Sequence, residues 1–317
     1  MNKNLKRLIN ILNDGQYHSG SSLGNKLNIT RTAVWKFINQ LKDYGLSIDT
    51  IKTKGYCLQQ PLILLNARNI APPCPIKIFD SITSTNDYVK TVKKSPFICL
   101  AEQQTAGRGR LGRNWYSPFG LNIYLSCLWD FNKDISELSG LSLITGLATI
   151  KTLTAYTKDL KIKWPNDILY KDKKLAGILV EINAETHGSS QAIIGIGLNV
   201  NMPGAINRAP TWISLMDIVK KPQDRNKLTS KLINQLWNYL NKFEKHGLKS
   251  FLSEWEKYDY LKNKKIKLMH GEKSIGGEAC GIDDQGHLLV KHRNGNVVAY
   301  SSGDTSIMGD RKGRPYD

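Results

Sequence analysis

No run of about 18 or more apolar residues, the length a spanning helix needs, occurs anywhere in the sequence. The opening from Met1 to Asn10 leads into no long apolar stretch either, so no secretory signal is expected, and a soluble, cytoplasmic protein is. Cysteine is scarce: Cys57, Cys74, Cys99, Cys127 and Cys280 form no C-x-x-C pair and no zinc-ligand spacing, and their odd number argues against a disulfide framework. The six histidines make no metal-ligand cluster, so no metal-ligating residues are expected. His287 and His292 flank an alternating apolar run and read as decoration of a hairpin. Acidic residues are also few. Against 45 Lys and Arg, 27 Asp and Glu leave a net charge of +18, which favours polyanionic partners such as nucleic acid or phosphorylated ligands.

The rest of the composition, 40% apolar, 23% charged and 9% aromatic, is that of a globular protein and excludes a disordered or fibrous one. At 317 residues the chain exceeds what one hydrophobic core usually supports, so two or three domains are expected.

Leu5, Leu8, Ile9 and Leu12 fall at helical spacing before Asp14-Gly15 stops the pattern. A second short helix runs from Ser21 to Leu27, with Ser19 or Ser21 as its cap. Thr30 caps a third, whose inward face is Ala33, Val34, Phe37, Ile38, Leu41 and Tyr44. The helix-turn-helix spans Gln16 to Phe37, and the outward face of the third helix carries Arg31, Thr32, Trp35, Lys36 and Asn39, a set suited to phosphates and base edges. Past Gly45, the alternation from Leu46 to Ile51 turns through Lys52, Thr53, Lys54 and Gly55 into Tyr56-Cys57-Leu58, a hairpin with a basic tip. This is the outline of a winged module, which serves either DNA or protein contacts; nine Lys and Arg against three Asp over residues 1–65, a net of +6, favour DNA.

Pro61 and the prolines at 72, 73 and 75 place a linker between about 60 and 75. Beyond it, β-rich runs (98–102, 121–127, 160–164, 174–181, 191–196) mix with helical ones (138–155, 225–243), which predicts an α+β domain. From Lys265 onward, short strands separated by tight Gly-rich turns suggest a small β-barrel. The expected domains are 1–62, 75–262 and 263–317.

Gly107-Arg108-Gly109-Arg110-Leu111-Gly112 matches G-x-G-x-x-G after a strand, yet Asn114 to Gly120 is too short and broken for the helix a dinucleotide fold needs there. No Lys-Ser/Thr pair follows, so a triphosphatase P-loop is excluded too. What remains is a glycine loop presenting three guanidiniums, Arg108, Arg110 and the adjoining Arg113, which reads as a clamp for an adenylate or as a basic surface turn.

Five motifs, in order, resemble the bifunctional biotin-protein ligase and biotin operon repressor family over nearly the whole chain: Ser84-Thr85-Asn86, Gln104 to Gly112, Lys163-Trp164-Pro165-Asn166-Asp167, Lys174 to Glu181, and Gly195 to Asn201. The resemblance implies a winged helix-turn-helix, a central mixed-sheet ligase domain and an SH3-like C-terminal barrel. It implies an enzyme that joins biotin to ATP, with Mg²⁺, as biotinyl-5'-AMP and passes biotin to a lysine of the biotin carboxyl carrier protein of acetyl-CoA carboxylase. It further implies that biotinyl-AMP acts as corepressor, promoting a homodimer on the operator DNA of biotin biosynthesis genes.

In that chemistry cations neutralise the charge that builds at the α-phosphorus. Lys174 is the candidate; without its motif it would read as an exposed edge lysine. Ser84, Thr85, Asn86, Gln104, Arg108 and Gly109 are expected to hold biotin, with Arg110 retaining the mixed anhydride and Gly107, Trp115 and Gly177 shaping the pocket. Asn199 and Trp212 are expected at the nucleotide, although either tryptophan fits a core position equally well. Asp167 reads as the group that orients or deprotonates the acceptor amine, as a Mg²⁺ ligand, or as a helix cap. One departure stands out: Ser302 to Ile307 has Asp304 and Thr305 where the family has Glu and Ile or Val. A lipoyl ligase is the nearest rival, disfavoured by the arginine-bearing glycine loop; a repressor without activity is disfavoured by Arg108, Arg110 and Lys174. A ligase whose amino-terminal module binds protein is disfavoured by Arg31, Lys36, Lys52 and Lys54.

Overall fold

A computed structural model of the chain describes residues 3–184, 189–204 and 211–308. Helix α1 (Lys3–Leu12) buries the full stripe Leu5, Leu8, Ile9 and Leu12. The Ser19 side chain accepts from Ser22 N to start α2 (Gly20–Leu27), which ends on Asn28 in the left-handed region, φ 54°. Thr30 caps α3 (Arg31–Asp43) in the same way, accepting from Ala33 N, and Val34, Ile38 and Leu41 face inward. Arg31, Thr32, Trp35 and Lys36 stay exposed, the Trp35 ring by 54%. The wing is β1 (Ile48–Ile51) against β2 (Gly55–Leu58), Ile48 opposite Leu58. His18 adds a bridge to Tyr56 so close that a Cβ on Gly55, at φ +101°, would lie 2.0 Å from His18 O.

The segment expected as a linker is not one. Leu62, Leu65 and Ile70 are buried, and residues 67–70 form a short helix, α4 (Ala67–Ile70), against the long helix of the next unit. Proline count signalled a break in regular structure there; it carried no information about burial. Phe119 and Leu121 from the central unit join the winged-helix core, where Phe119 stacks on Tyr44 with ring centroids 4.7 Å apart and Leu62 packs over Gly120.

The central unit is a seven-stranded sheet in the order β3-β4-β5-β9-β8-β7-β6, all antiparallel except β3 with β4. The strands are β3 (Ile76–Phe79), β4 (Phe97–Ala101), β5 (Ile123–Phe131), β6 (Leu160–Lys163), β7 (Asp167–Tyr170), β8 (Lys173–Ala184) and β9 (Ser190–Leu198). Helices α6 (Leu141–Leu153) and α8 (Arg225–His246) cover one face over the main core, and α9 (Leu252–Tyr258) closes its end. The small helix α5 (Thr85–Val89) covers the other face with Val89, Cys99, Leu128 and Ile193. A further short helix, α7 (Leu215–Val219), follows β9. Strand alternation assigns each side chain its face: Ile194, Ile196 and Leu198 enter the main core while Gly195 and Gly197 face away from it.

The C-terminal unit is β10 (Lys265–His270), β11 (Lys273–Ile282), β12 (Leu288–Lys291), β13 (Val297–Tyr300) and β14 (Asp304–Ile307), ordered β13-β12-β11-β10-β14. Its buried Ile266, Leu268, Ala279, Leu288 and Val290 belong to the main core. Trp164 Nε1 donates to Gly286 O at 3.0 Å and Thr305 Oγ1 to Trp164 O at 3.1 Å, tying this unit to the motif at 163–167. The expected domain ends at 317, and residues 309–317 of it lie outside the described residues.

Candidate functional site

A cavity of about 360 Å³ opens on the sheet face away from α6, and all the expected ligand-binding positions except Gly107 line it: Ser84, Thr85, Asn86, Gln104, Arg108, Gly109, Arg110, Trp115, Asp167, Lys174, Gly177, Asn199 and Trp212. Gly107 sits directly behind the wall, where a Cβ would come 2.6 Å from Trp115 O and 2.7 Å from Ser117 Oγ. The positions expected to contact DNA, Arg31, Thr32, Trp35, Lys36, Lys52 and Lys54, are all exposed on the winged module, none in this cavity.

One end of the cavity is neutral and polar. The side chain of Ser84 caps α5 by accepting from Asp87 N. Gln104 Oε1 accepts from Thr85 N at 2.8 Å and Thr85 Oγ1 at 3.0 Å, while its Nε2 donates to Ser117 Oγ at 3.1 Å. Ser126 Oγ, with a single proton, lies 2.7 Å from Thr85 Oγ1 and 2.6 Å from Asn86 Oδ1. Three glycines give this wall its depth. A Cβ on Gly195 would lie 2.4 Å from Asn86 Oδ1, and on Gly177 or Gly197 it would meet the Trp115 ring at 2.9 or 2.5 Å. Trp115 is therefore a pocket wall and not a core residue, and its buried Nε1 has no hydrogen-bond partner among the described residues.

The other end is cationic. Between Ile168 and Leu169 the β7–β8 register slips by one, which leaves Leu175 as an extra residue and turns Lys174 onto the cavity face. Its Nζ lies 2.8 Å from Asp167 Oδ1 and 5.2 Å from the Trp115 ring centre. Asp167 begins a strand, so its reading as a helix cap is wrong. Lys163, four residues earlier on β6, lines the same end; burial brings its ammonium below the usual lysine range, against the pull of Asp167.

No helix follows the glycine loop. Arg110–Gly112 makes one tight turn with Leu111 at φ 55°, and Gly109 N donates to Arg113 O at 2.7 Å, so the loop closes on itself. Its arginines reach outward in different directions. Arg108 pairs with Asp87 and lies 3.5 Å from Glu181. Arg110 contacts Asn166 Oδ1 at 3.3 Å, Gly303 O at 3.4 Å and Asp304 at 3.6 Å, and Arg113 pairs with Asp304. Burial lowers the Arg110 pKa, though a guanidinium keeps its proton in any such setting. The substituted C-terminal segment is thus where the loop arginines dock.

Trp212 runs beside β8, where Lys174 N donates to Thr211 O and Ile213 N to Lys174 O, both at 2.9 Å. Asn199 is buried, its Nδ2 aimed at Ile213 O at 3.3 Å. Sequence reasoning gave no individual role to Lys163, Glu181 or Ser126, and none to Asp304 beyond its departure from the family pattern. Lys163 and Glu181 lay inside quoted motifs; Ser126 and Asp304 meet the site only through pairings distant in sequence.

Among the described residues no group of three or more His, Cys, Asp and Glu can hold a metal. The cavity's two carboxylates, Asp167 and Asp304, each face cations. Such a set fits a Mg²⁺ that arrives on phosphate oxygens with its own waters, not one caged by protein.

Fold and pocket together define a ligase for a small carboxylic acid fused to a DNA-binding module. Family models match the three units separately: an HTH domain over residues 4–57, the Biotin/lipoate A/B protein ligase family over 78–199, and the Biotin protein ligase C terminal domain over 263–308. The bifunctional ligase/repressor BirA of Escherichia coli is 39% identical across 96% of this chain and 98% of its own length. The protein of the same description from Bacillus subtilis is 28% identical across 90% and 93%. A biotin protein ligase of Aquifex aeolicus, solved in complex with biotin and ATP, superposes with a TM-score of 0.64 at 29% identity, covering 73% of this chain and 97% of that one. The chain belongs to the biotin-protein ligase family, among its bifunctional ligase/repressors.

Proposed function

We propose that this protein condenses biotin with ATP to biotinyl-5'-AMP, passes biotin to a carrier-protein lysine, and with biotinyl-AMP as corepressor silences biotin biosynthesis genes. The observation that carries this reading is the cavity's division into a neutral hydrogen-bonding end and a cationic end. The first suits a cyclic urea, the second the anion made when a carboxylate joins a phosphate. Ser84, Thr85, Asn86, Gln104, Arg108 and Gly109 take the ring and valeryl chain, with Trp115 as a wall. A carboxylate oxygen of biotin attacks the α-phosphorus and pyrophosphate leaves, while Lys174, Lys163 and Arg110 neutralise the accumulating charge. Mg²⁺, when bound, supplies further neutralisation on the phosphates. Trp212 and Asn199 flank the nucleotide, and Arg110 retains the anhydride. The acceptor amine then attacks the acyl carbon, AMP leaves, and Asp167, held by Lys174, takes the amine's proton. No covalent enzyme intermediate is needed.

The acceptor is the biotin carboxyl carrier protein of acetyl-CoA carboxylase, and the DNA ligand is a two-half-site operator read by α3 and the wing. Biotinyl-AMP promotes a homodimer through the central sheet. In support, β8 beyond Ile178, which still bonds to Asn166, pairs as a strand only with β9 among the described residues, leaving its outer edge open.

Exchange of labelled pyrophosphate into ATP tests the reading: it should depend on biotin and not on lipoate, and exchange without vitamin dependence overturns it. Sedimentation with and without biotinyl-AMP tests the dimer, since an unchanged monomer fraction removes it.

A further inference from the structure

Behind the neutral end of the cavity, and outside its lining, sits an ionic group that the reaction does not use. Glu181 is on β8 opposite Ile193, and its Oε2 accepts from Asn86 Nδ2 at 2.9 Å. Its Oε1 accepts from Lys90 Nζ at 2.8 Å, and Arg108 lies 3.5 Å away. Burial opposes ionisation, yet the hydrogen bonds from Lys90 and Asn86 and the nearby Arg108 hold the carboxyl below the usual glutamate range.

A carboxylate accepts hydrogen bonds and donates none. Only the amide nitrogen of Asn86 can face it, so the amide oxygen must point the other way, toward Ser126 and Gly195. Gly195 leaves that oxygen uncovered, because any Cβ there would collide with it at 2.4 Å. Thr85 Oγ1 stands beside it with its own proton spent on Gln104 Oε1, so it too meets the cavity as an acceptor, and the Gln104 amide nitrogen is taken by Ser117. The result is a wall rich in acceptors. It matches a ring that carries N–H donors and offers nothing to a ring without them.

We propose that Glu181, acting through Asn86, is a positioning residue that sets selection of a cyclic urea over a dithiolane or any other ring lacking N–H donors. This deepens the biotin reading of the site and rests on it. Glu181 touches neither substrate; it fixes which end of one amide the substrate meets. The same group anchors Arg108, so one carboxylate orients both the ring-binding amide and the first arginine of the glycine loop.

The test is steady-state pyrophosphate exchange with the full chain, using biotin and two analogues, each methylated on one ureido nitrogen. Glu181→Gln, whose amide permits Asn86 to rotate, should raise KM for biotin about 10-fold. Its kcat and KM for ATP should stay within about two-fold. The analogue lacking the N–H that meets Asn86 should lose nothing further, so the wild-type preference for biotin over it shrinks by the same factor. Glu181→Asp, which keeps the carboxylate, should fall between wild type and Glu181→Gln. The exchanged pair Asn86→Asp with Glu181→Gln puts an acceptor-only group on the cavity side again and should recover most of the loss. Equal losses for biotin and both analogues would mean a structural role only and overturn the proposal, as would no change in any of them. Should Glu181→Gln not fold, as melting would reveal, the decision passes to Glu181→Asp and the exchanged pair on the same criteria. Absence of biotin-dependent exchange in the wild type would instead sink the biotin reading itself.

Discussion

Two arginine sites far apart in the sequence, the single Arg225 and the loop pair Arg110 and Arg113, behave as opposites. Arg225 and Glu102 are 0% and 2% exposed; the guanidinium donates to Glu102 at 2.6 Å, Ile63 O at 2.7 Å and Asn122 O at 3.0 Å, and the carboxylate also takes Leu65 N. Arg110 and Arg113, by contrast, are 23% and 38% exposed and share Asp304. The buried pair leaves no room for a ligand to replace its partners. The loop arginines hold partners that a phosphate can displace at smaller cost, since pairs that stay partly open to water contribute less to stability. Burial, not charge, separates a structural guanidinium from a working one.

The sharpest way to break this contrast is Arg225→Met, which strands a buried carboxylate and two carbonyls. It should cost about 3–5 kcal/mol of unfolding free energy, read as a lowered urea midpoint. Adding Glu102→Gln should recover part of that, because the two changes share one interaction. Next in size, Arg110→Gly should alter stability by less than about 1 kcal/mol. Its effect belongs to retention of the intermediate: release of labelled biotinyl-AMP should speed up by about 10- to 100-fold, the worth of one charge-assisted contact. If stability falls as far as in the Arg225 variant, the contrast fails. Asp304→Asn should leave stability within about 1 kcal/mol and raise KM for ATP a few-fold, because it frees both loop arginines from their dock. The smallest change is expected at Lys36, exposed on α3: Lys36→Ala should leave melting and ligase turnover unchanged and lower the salt slope of operator binding by about one.

Much of the outline was legible in the sequence where the signal is local. Helical spacing located α1 and α3, and Ser19 and Thr30 were readable as the caps of α2 and α3, since capping chemistry acts within four residues. The missing helix after Gly112 was equally readable from Asn114 to Gly120. What escaped depends on partners far apart. The bulge at Leu175 that aims Lys174, the docking of Arg113 on Asp304, and the Asn86–Glu181 pair each need the sheet to be assembled first. The strands Ile76–Phe79 and Asp167–Tyr170 were too short to register, and the prolines around 61–75 hid a buried segment. Composition describes what a stretch is made of, while burial is decided by what comes to lie on top of it.

That buried stretch has a consequence for anyone wishing to separate the two activities. Leu62 is clasped by Asn13 on one side and fills the space over Gly120 on the other, while Leu64, Leu65 and Asn66 bond to Asn226 and Glu102. A cut placed at the apparent boundary near residue 62 would therefore amputate a piece of the catalyst's own interior. A stand-alone enzyme carved from this gene should begin before Leu62 and carry a replacement for Tyr44 over Phe119, or it will inherit an open wound beside the strand that feeds its glycine loop.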